Sequence, residues 1–520
     1  MIHETCIELK DPRGSRATSQ PASAIACASV WFVAVAAFVN LLLFVLRTSG
    51  PVIRSDSWYF LDVFVSKAMD GSLGLSDFFV RRHGLDHAQP LVKLLLLIEL
   101  RFFDLDAVVE ALAGVLGAAA CATAFYVLIR NGGRGKSENI HGDLAWATIC
   151  AMLFSLNCTG IWTWPLVASG YVTLIPILFY MWAAWNAWHT QRYLLLTVAT
   201  TILGVTVDDN AIVAVAVTLI VLPIIAVSDA RYQVGHLWKV IVIVATCMVI
   251  VRVGYSYAPV VGETFTPPQP LAVHLSALFE LARQGDTWKW VTIPLMMSVL
   301  PASPVAGFSV KAWLLIEIAV TVLLLISNAL FWRKALRGPY NLSKYVAVCL
   351  MVLSYGWIIS IVVYRVSQLG SSYLYQDRYV FIYQFNVVAL LLMSAVGDEA
   401  GAKLGSRYKR LRQWLPALCC IVLIVLQIPF SFHAWQSRRY LILYYHQMAV
   451  QVEDLAKDPD QVANCVHELS ICRLPLDRRR ALIHLLVANH LNVFSLRVQK
   501  WHPFLPTWDD MDGRATTSDH

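Results

Sequence analysis

Residues 54–103 read RSDSWYFLDVFVSKAMDGSLGLSDFFVRRHGLDHAQPLVKLLLLIELRFF, and they follow the first apolar segment of the chain directly. They contain five aspartates, two histidines and the adjacent pair Arg81 and Arg82. Charged side chains are costly inside a bilayer, so this stretch is expected to lie outside the hydrocarbon. We therefore expect any chemistry of this protein to take place here, at the membrane surface.

The composition of the whole chain is that of a membrane protein. Of its 520 residues, 58% are hydrophobic and only 14% are charged, and the mean hydropathy is +0.59. Soluble domains carry about 25% charged residues. Apolar runs of roughly 20 residues recur along the chain, which predicts an all-α polytopic protein. The net charge of +7 needs no nucleic-acid partner, because cytoplasmic loops are rich in Lys and Arg.

The order of polar and apolar segments predicts about 11 transmembrane helices. Residues 1–23 form a polar cytoplasmic tail, residues 24–432 a transmembrane domain, and residues 433–520 a periplasmic tail with helical patterning. Two long periplasmic loops, 47–104 and 255–309, interrupt the transmembrane domain. The first apolar run is longer than the roughly 7–15 residues of a cleavable signal, so we expect it to remain as a span.

Two apolar pieces, Pro90–Phe103 and Trp288–Leu300, are too short to be counted as spans. Fourteen residues of helix cover about 21 Å, whereas the hydrocarbon core is about 30 Å thick. Pro90–Phe103 is also interrupted by Lys93, Glu99 and Arg101. We predict an interfacial helix that lies on the membrane.

The distribution of basic residues predicts the orientation. Six predicted inner segments together hold 18 Lys and Arg residues, whereas the short outer loops around Trp162 and Asp208 hold none. Because cytoplasmic loops carry the surplus of basic residues, the N-terminus is expected inside. Eleven spans then place the C-terminal tail outside.

Eleven cysteines are present, and most lie in apolar segments, where Cys behaves as a small hydrophobic residue. Cys465 and Cys472 differ, because both lie in the polar C-terminal tail. A disulfide between them is compatible with a tail outside the cytoplasm. Their spacing leaves the bonded and the free states equally open.

Asp56 is the candidate catalytic residue. It follows the first span by about ten residues, between Arg54 and Trp58. A carboxylate that is partly screened from water keeps or gains basicity, and it could take a proton from an attacking hydroxyl. The alternative is a solvated acid of the loop.

Asp86 and His87 precede the short helix that starts near Pro90. Both could point into a cavity beside Asp56, where His87 would bind a phosphate or a sugar hydroxyl. The alternative for Asp86 is structural, since Asp is favoured as a cap just before a helix with an early proline.

Arg378 lies where an outer loop meets the tenth span, and Arg365 is a second candidate of the same kind. The planar guanidinium suits a phosphate head group. The alternatives are snorkelling or an ion pair with Asp377. Asp208 and Asp209 could hold a divalent cation, although a polar turn needs acids for solubility alone.

The arrangement resembles the GT-C superfamily of integral-membrane glycosyltransferases, and uncharacterised bacterial members in particular. The resemblance covers most of residues 24–432 as architecture, and three short motifs as residues. The motifs stand here as Asp56-Ser57-Trp58, Asp86-His87-Ala88 with Pro90-Leu91, and Arg378-Tyr379. Asp replaces the Glu of relatives at position 86, and Ala replaces their Arg at position 88.

The resemblance implies an inverting glycosyltransferase of the bacterial inner membrane, part of the machinery of the cell envelope. The donor would be a polyprenyl-phosphate-linked sugar, and the acceptor a periplasmic glycan, lipid or protein. Asp56 would be the general base. Substrate would be bound by Asp86, His87, Arg378, Trp58 and Arg82. If the arginine missing at Ala88 grips a phosphate in relatives, Arg81, Arg82 or Arg378 would replace it here, or the activity would be lost. The resemblance implies no particular cofactor, and it leaves a role for a divalent cation open.

Three other functions compete with glycosyl transfer. A lipid or polysaccharide transporter or flippase is disfavoured, because such proteins tend to contain internal repeats and the acids of this chain cluster outside its spans. A polysaccharide polymerase shares the many spans and large outer loops. The third is a noncatalytic scaffold whose tail binds a partner.

Overall fold

The computed structural model describes residues 20–82, 87–132, 140–228, 234–261, 269–302, 309–396, 406–462 and 465–505. Within this part of the chain the fold is helical. One parallel pairing of two-residue strands is present, β1 (Arg81–Arg82) with β2 (Val260–Val261), in which Arg81 lies opposite Val260. It joins the two long outer regions predicted from the sequence.

The helices up to the second outer region are, in chain order, α1 (Gln20–Thr48), α2 (Ser57–Phe60), α3 (Ser66–Met69), α4 (Pro90–Phe102), α5 (Val108–Gly132), α6 (Ile140–Leu153), α7 (Thr159–Thr163), α8 (Pro165–Ala168), α9 (Gly170–Thr190), α10 (Tyr193–Val207), α11 (Asp209–Ser228) and α12 (Val234–Ser256). A π-helical turn, Leu61–Val65, connects α2 to α3. A 3₁₀ turn, Leu75–Phe79, leads into β1.

The remaining helices are α13 (Leu271–Arg283), α14 (Lys289–Met297), α15 (Val310–Ala335), α16 (Leu342–Ile361), α17 (Ser367–Leu369), α18 (Val380–Ala395), α19 (Ser406–Lys457), α20 (Leu476–Ala488) and α21 (Leu496–Trp501). A π-helical turn, Val362–Val366, connects α16 to α17. The 3₁₀ turns are Asp286–Trp288, Ser371–Tyr375, Asp377–Tyr379, Ser470–Arg473 and Asn492–Phe494.

Ten helical segments of the described residues are long and apolar enough to cross a bilayer, as expected for a multi-pass membrane protein. Helices lie at the predicted spans from α1 to α19. Two of them, α6 and α10, have only 14 and 15 described residues and are not among these ten, so the count of 11 stays a prediction. One of the ten segments, Leu476–Trp501, consists of α20, a turn and α21. Its buried side chains belong to a core outside the helical bundle.

That second core is shared by the first loop and the C-terminal tail. Trp58 and Phe64 come from the loop, and Tyr445, Leu486 and Phe494 come from the tail. The bundle has a larger core of its own, built from the apolar faces of the long helices. Because the loop and the tail bury their apolar side chains against each other, they lie on the same side of the bundle.

Asn492 attaches the tail to both ends of the first loop. Its side-chain amide donates hydrogen bonds to the carbonyl oxygens of Pro51, at 2.7 Å, and Leu105, at 2.6 Å. Its backbone N–H donates to the carbonyl oxygen of Asp104 at 2.7 Å. The side chain is buried, so these bonds satisfy polar groups that water does not reach.

The helix α19 runs without interruption from Ser406 to Lys457. At 1.5 Å per residue its 52 residues extend over about 78 Å, far more than a bilayer core of about 30 Å. The expected boundary between span and tail, at residues 432 and 433, is therefore not a break in the backbone. No proline or glycine follows Pro429 within the helix, so nothing in the sequence ends it there.

Cys465 and Cys472 are joined by a disulfide. The sequence left this pairing open. The bond closes a short loop between α19 and α20 and lies at the edge of the core that the tail shares with the first loop.

The short helix expected near Pro90 is present as α4, but two of its three charged residues are not at a surface. Lys93 and Glu99 are buried, at 0% and 2% exposure. The ammonium group of Lys93 donates to three carbonyl oxygens, those of Asp77 and Phe78 at 3.0 Å and that of Val80 at 2.8 Å. Burial lowers the pKa of Lys93 to about 8. One lysine of α4 thus holds the loop segment that leads into β1.

Replacing Lys93 by Met is expected to destabilise the protein by at least about 3 kcal/mol, because three buried carbonyl groups would each lose a donor at a cost of about 1–3 kcal/mol. Thermal unfolding of the purified protein in detergent measures the change. Lys67→Met is the matched control, since Lys67 is half exposed, pairs with Asp77 at 2.6 Å and should contribute less than about 1 kcal/mol. Equal unfolding temperatures for the two variants would contradict the role of Lys93.

Candidate functional site

Asp56, the predicted catalytic base, stands at the start of α2. Its side chain is exposed, so the expectation of a carboxylate partly screened from water is wrong. Its backbone carbonyl accepts a hydrogen bond from the N–H of Tyr59 at 3.0 Å, which starts the helix. The helix therefore explains the position of Asp56 without reference to a substrate.

Trp58, Arg82 and Asp86, the other predicted residues near Asp56, do not form a site with it in the described part of the chain. Trp58 is 1% exposed within the core that the loop shares with the tail, so its ring is not available to stack on a sugar. The backbone of Arg82 belongs to β1, while its side chain lies outside the described residues, as does all of Asp86. The helix α4 begins at Pro90 with Gln89 at its capping position, so the interpretation of Asp86 as the cap is wrong.

His87 meets the two acids that separate α10 from α11. Its Nδ1 atom lies 3.2 Å from Oδ2 of Asp209 and 3.8 Å from Oδ2 of Asp208. The same oxygen of Asp208 accepts a hydrogen bond from the backbone N–H of Ala88 at 2.6 Å. The loop that precedes α4 is therefore fastened to the turn between two helices of the bundle.

Arg252 of α12 completes this group, which we call the His87 cluster: His87, Asp208, Asp209 and Arg252. One guanidinium nitrogen lies 2.9 Å from Oδ1 of Asp209 and 3.6 Å from Oδ1 of Asp208. A second donates to the carbonyl oxygen of Asp208 at 2.8 Å. With His87 protonated, two cations balance two anions.

The backbone geometry of Asp208 places these groups. Its φ of 57° lies in a region that a residue with a side chain rarely adopts, and it allows the chain to leave α10 and enter α11 without a loop. The carboxylate is almost fully buried, at 3% exposure, and its bonds to Ala88 and Arg252 offset the cost of that burial.

Hydrogen bonds, neighbouring charges and burial shift the pKa values of His87 and Asp208. The hydrogen bond to Asp209 is the main cause that raises the pKa of His87, and it outweighs burial, which acts in the opposite direction. Burial is the main cause that raises the pKa of Asp208, and the neighbouring charge of Asp209 adds to it. His87 is therefore biased toward its charged form.

The donor atoms of His87, Asp208 and Asp209 lie within 4.8 Å of one another, and an imidazole with two carboxylates is a ligand set that suits divalent transition metals. One oxygen of Asp208, Oδ1, is buried without a hydrogen bond. The residues thus fit a cation by type. A cation bound there would compete with Arg252 for the carboxylate oxygens and would need the imidazole of His87 in its neutral form.

Arg378 lies elsewhere, among aromatic rings. Its guanidinium carbon is 5.3 Å from the ring centre of Tyr373, 5.4 Å from that of Tyr379 and 5.9 Å from that of Trp164. It donates a hydrogen bond to the hydroxyl of Tyr373. Arg378 forms no ion pair among the described residues, so the predicted alternative of a pair with Asp377 is wrong.

Arg54 approaches the same tryptophan. Its guanidinium carbon is 5.6 Å from the ring centre of Trp164, and one nitrogen donates to the carbonyl oxygen of Thr163 at 2.9 Å and to the hydroxyl of Tyr445 at 3.1 Å. The Nε atoms of Arg54 and Arg378 are both buried without a hydrogen-bond partner. Two half-buried arginines thus flank one indole, a group that we call the arginine pair.

Arg365, the second arginine that the sequence proposed, is exposed in the π-helical turn after α16. Its charge lowers the pKa of His87 and so opposes the effect of Asp209.

The sequence pointed to part of this arrangement. His87, Arg365 and Arg378 were candidates, whereas Asp208 and Asp209 were attributed first to solubility. Arg252 was missed, although an arginine inside an apolar span signals a buried partner. Its proximity to the Asp208–Asp209 turn could have suggested that partner, because α10, α11 and α12 are consecutive helices of the bundle.

Comparisons with protein-family models, with curated proteins and with solved structures found no match. The resemblance to GT-C enzymes therefore remains an expectation, and any function has to be argued from the geometry of the chain itself.

The raised pKa of His87 makes a contribution to stability that depends on pH. This contribution is fully present below the unfolded value of about 6.5, and it is lost as the pH rises through the higher folded value. Because the side chain is 45% exposed, we expect no more than about 1 kcal/mol after screening.

Thermal unfolding of the parent and of His87→Gln between pH 5 and 9 measures this contribution (the range brackets the ordinary histidine pKa). The difference should be largest at the acid end and shrink toward the alkaline end. His484→Gln, which changes an exposed histidine of α20, should show no such trend. A difference that grows with pH would contradict the pairing of His87 with Asp209.

Proposed function

We propose that this protein is a membrane glycosyltransferase that acts on the side of the membrane where its first loop and its tail lie, with a polyprenyl-phosphate-linked sugar as donor. The arginine pair would bind the phosphate, and the His87 cluster would handle the proton of the acceptor hydroxyl. The observation that carries this proposal is the arginine pair itself: two half-buried guanidinium groups lie close to Trp164, and each has a buried Nε without an acceptor.

The topology of the proposal has eleven crossings, by α1, α5, α6, α9, α10, α11, α12, α15, α16, α18 and α19. Ten crossings after the first loop return the chain to the side of that loop, which agrees with the core shared by loop and tail. The disulfide of the tail suits an oxidising compartment. With the basic residues of the inner segments, this supports an N-terminus in the cytoplasm and a tail in the periplasm of a bacterial inner membrane.

The phosphate site rests on the chemistry of Arg54 and Arg378. A guanidinium presents several N–H donors in one plane and matches a phosphate better than a single ammonium would. Neither arginine has an ion pair with a described carboxylate, and both retain a buried Nε without an acceptor. Aromatic packing against Trp164 fixes the two groups while leaving donors for an anion.

The proton would be taken by His87. With Nδ1–H directed at Asp209, the neutral imidazole presents Nε2 as the base, and Asp209 fixes the ring. The acceptor oxygen would form a bond to the anomeric carbon as the bond from that carbon to the phosphate oxygen breaks. The phosphate would leave with the electron pair, and the configuration would invert. Asp56 stays an alternative base, since it lies two residues from Arg54.

Arg378→Gln is expected to reduce turnover about 10²-fold, because an electrostatic donor at a site of developing charge typically contributes that factor. The readout is release of polyprenyl phosphate from lipid-linked sugars in membranes that contain the protein, together with mass spectrometry of surface glycans. Arg439→Gln, which changes an exposed arginine of α19, is the matched control.

His87→Gln and Asp56→Asn separate the two candidate bases in the same assay. Loss of turnover in the first variant with full turnover in the second assigns the proton to His87, and the opposite pattern assigns it to Asp56. Full turnover in Arg378→Gln at equal protein level would contradict the phosphate site.

The topology is tested separately by labelling single introduced cysteines in spheroplasts with a membrane-impermeant maleimide. Asn489→Cys in the tail should react in intact spheroplasts, whereas Thr190→Cys at the end of α9 should react only after permeabilisation; both positions are exposed. The parent protein gives the background from native cysteines. The reverse pattern would contradict the proposed orientation.

A further inference from the structure

A groove of about 640 Å³ lies between the membrane bundle and the tail. Its walls come from the end of α1, from α4, from the start of α5 and from α21. They include Leu46, Ile98, Leu112, Leu116 and Trp501. Four of these side chains, all but Leu112, are among the exposed large hydrophobic residues of the protein. The volume lies within the range of about 300–1,000 Å³ that is usual for small-molecule sites.

The groove is not part of the site described above. Leu95 and Ile98 of α4 line it, while Lys93 points to the loop segment that leads into β1. Because successive residues of an α-helix are rotated by about 100°, Leu95 and Ile98 lie on the face of α4 opposite to Lys93. The groove and the His87 cluster therefore lie on different sides of α4, since the charge of Asp208 acts on Lys93.

A polar pair lies in the wall of the groove. Nε2 of His502 lies 2.9 Å from Oδ2 of Asp106, and both side chains are buried, at 6% and 2% exposure. Asp106 lies two residues before α5 and His502 immediately follows α21, so this pair joins the tail to the bundle. The remaining lining is predominantly apolar.

Positive charge lies beside two aromatic rings of the groove. The guanidinium carbon of Arg497 is 4.8 Å from the ring centre of Trp501 and 5.5 Å from that of Phe103, and both rings line the groove. Arg497 donates one hydrogen bond, to the carbonyl oxygen of Phe102 at 2.5 Å. Lys500 follows one turn later, and both basic side chains are exposed.

We propose that this groove binds an anionic phospholipid of the adjacent leaflet, with one acyl chain against the apolar walls and the phosphate at Arg497 and Lys500. The lining excludes a sugar or a peptide, because it offers few polar partners. The cations at the rim select an anionic head group over a zwitterionic one. The lipid would contact α1, α5 and α21 together and would hold the tail against the bundle. The proposal does not depend on glycosyl transfer.

Native mass spectrometry of the purified full chain tests the proposal, with phosphatidylglycerol, phosphatidylethanolamine and a polyprenyl phosphate added separately. Phosphatidylglycerol should bind best. Arg497→Gln should weaken its binding about tenfold, the effect expected for loss of one charge-assisted hydrogen bond. Ala113→Trp, which fills the groove, should abolish it.

Two controls match these variants. Arg480→Gln removes an exposed cation of the same tail, and Ala120→Trp adds the same bulk to an exposed position of α5. Neither should alter lipid binding. Arg497→Gln keeps the test valid if Ala113→Trp does not fold, because Arg497 is at the surface. Equal binding of phosphatidylethanolamine, preferential binding of the polyprenyl phosphate, or binding unchanged in Arg497→Gln would each overturn the proposal.

Discussion

The burial of the first loop against the C-terminal tail is the contact on which the rest of the arrangement depends. Each segment alone would expose a set of large apolar side chains, and together they enclose Trp58, Phe64, Tyr445 and Phe494 in one core. Asn492 adds hydrogen bonds to both ends of the loop. Since the two segments are almost 400 residues apart, this contact closes the chain on itself outside the bundle and fixes where α2 and α4 lie.

Two buried charged groups on this side of the bundle, Lys93 and Asp208, have partners from distant parts of the chain. The ammonium group of Lys93 donates hydrogen bonds to three carbonyl oxygens of the loop. The carboxylate of Asp208 accepts a hydrogen bond from a backbone N–H of the loop and forms an ion pair with Arg252. Both connect the loop to the bundle, and both would be costly to leave without a partner. The chain before α4 is thus held at two points, and His87 lies between them in sequence. A histidine in such a setting can be oriented accurately enough for proton transfer.

The helices were predictable because hydrophobic run length is a local property. The roles of single charged residues were less so. Lys93 was taken as an interruption that kept α4 at the interface, because a sequence does not show that three carbonyl groups converge on it. Asp208 and Asp209 looked like solubility residues of a turn, because their partners His87 and Arg252 are distant in the chain. The end of α19 was placed by hydropathy, whereas helicity depends on backbone breakers, which are absent there. Asp56 was predicted as the catalytic base from its motif, whereas the structure places it at the start of α2, where its carbonyl oxygen accepts the first hydrogen bond of the helix.

The continuity of α19 has a mechanical consequence. Its last 25 residues, beyond Phe432, extend about 38 Å from the bilayer-spanning part and carry Tyr445 and Met448 into the outer core. Because the helix is continuous, a change in the tilt of its embedded part displaces its far end by a larger distance. Tilt responds to the thickness of the surrounding bilayer. We therefore expect the outer unit, and with it the loop that carries His87, to shift when the bilayer thickness changes.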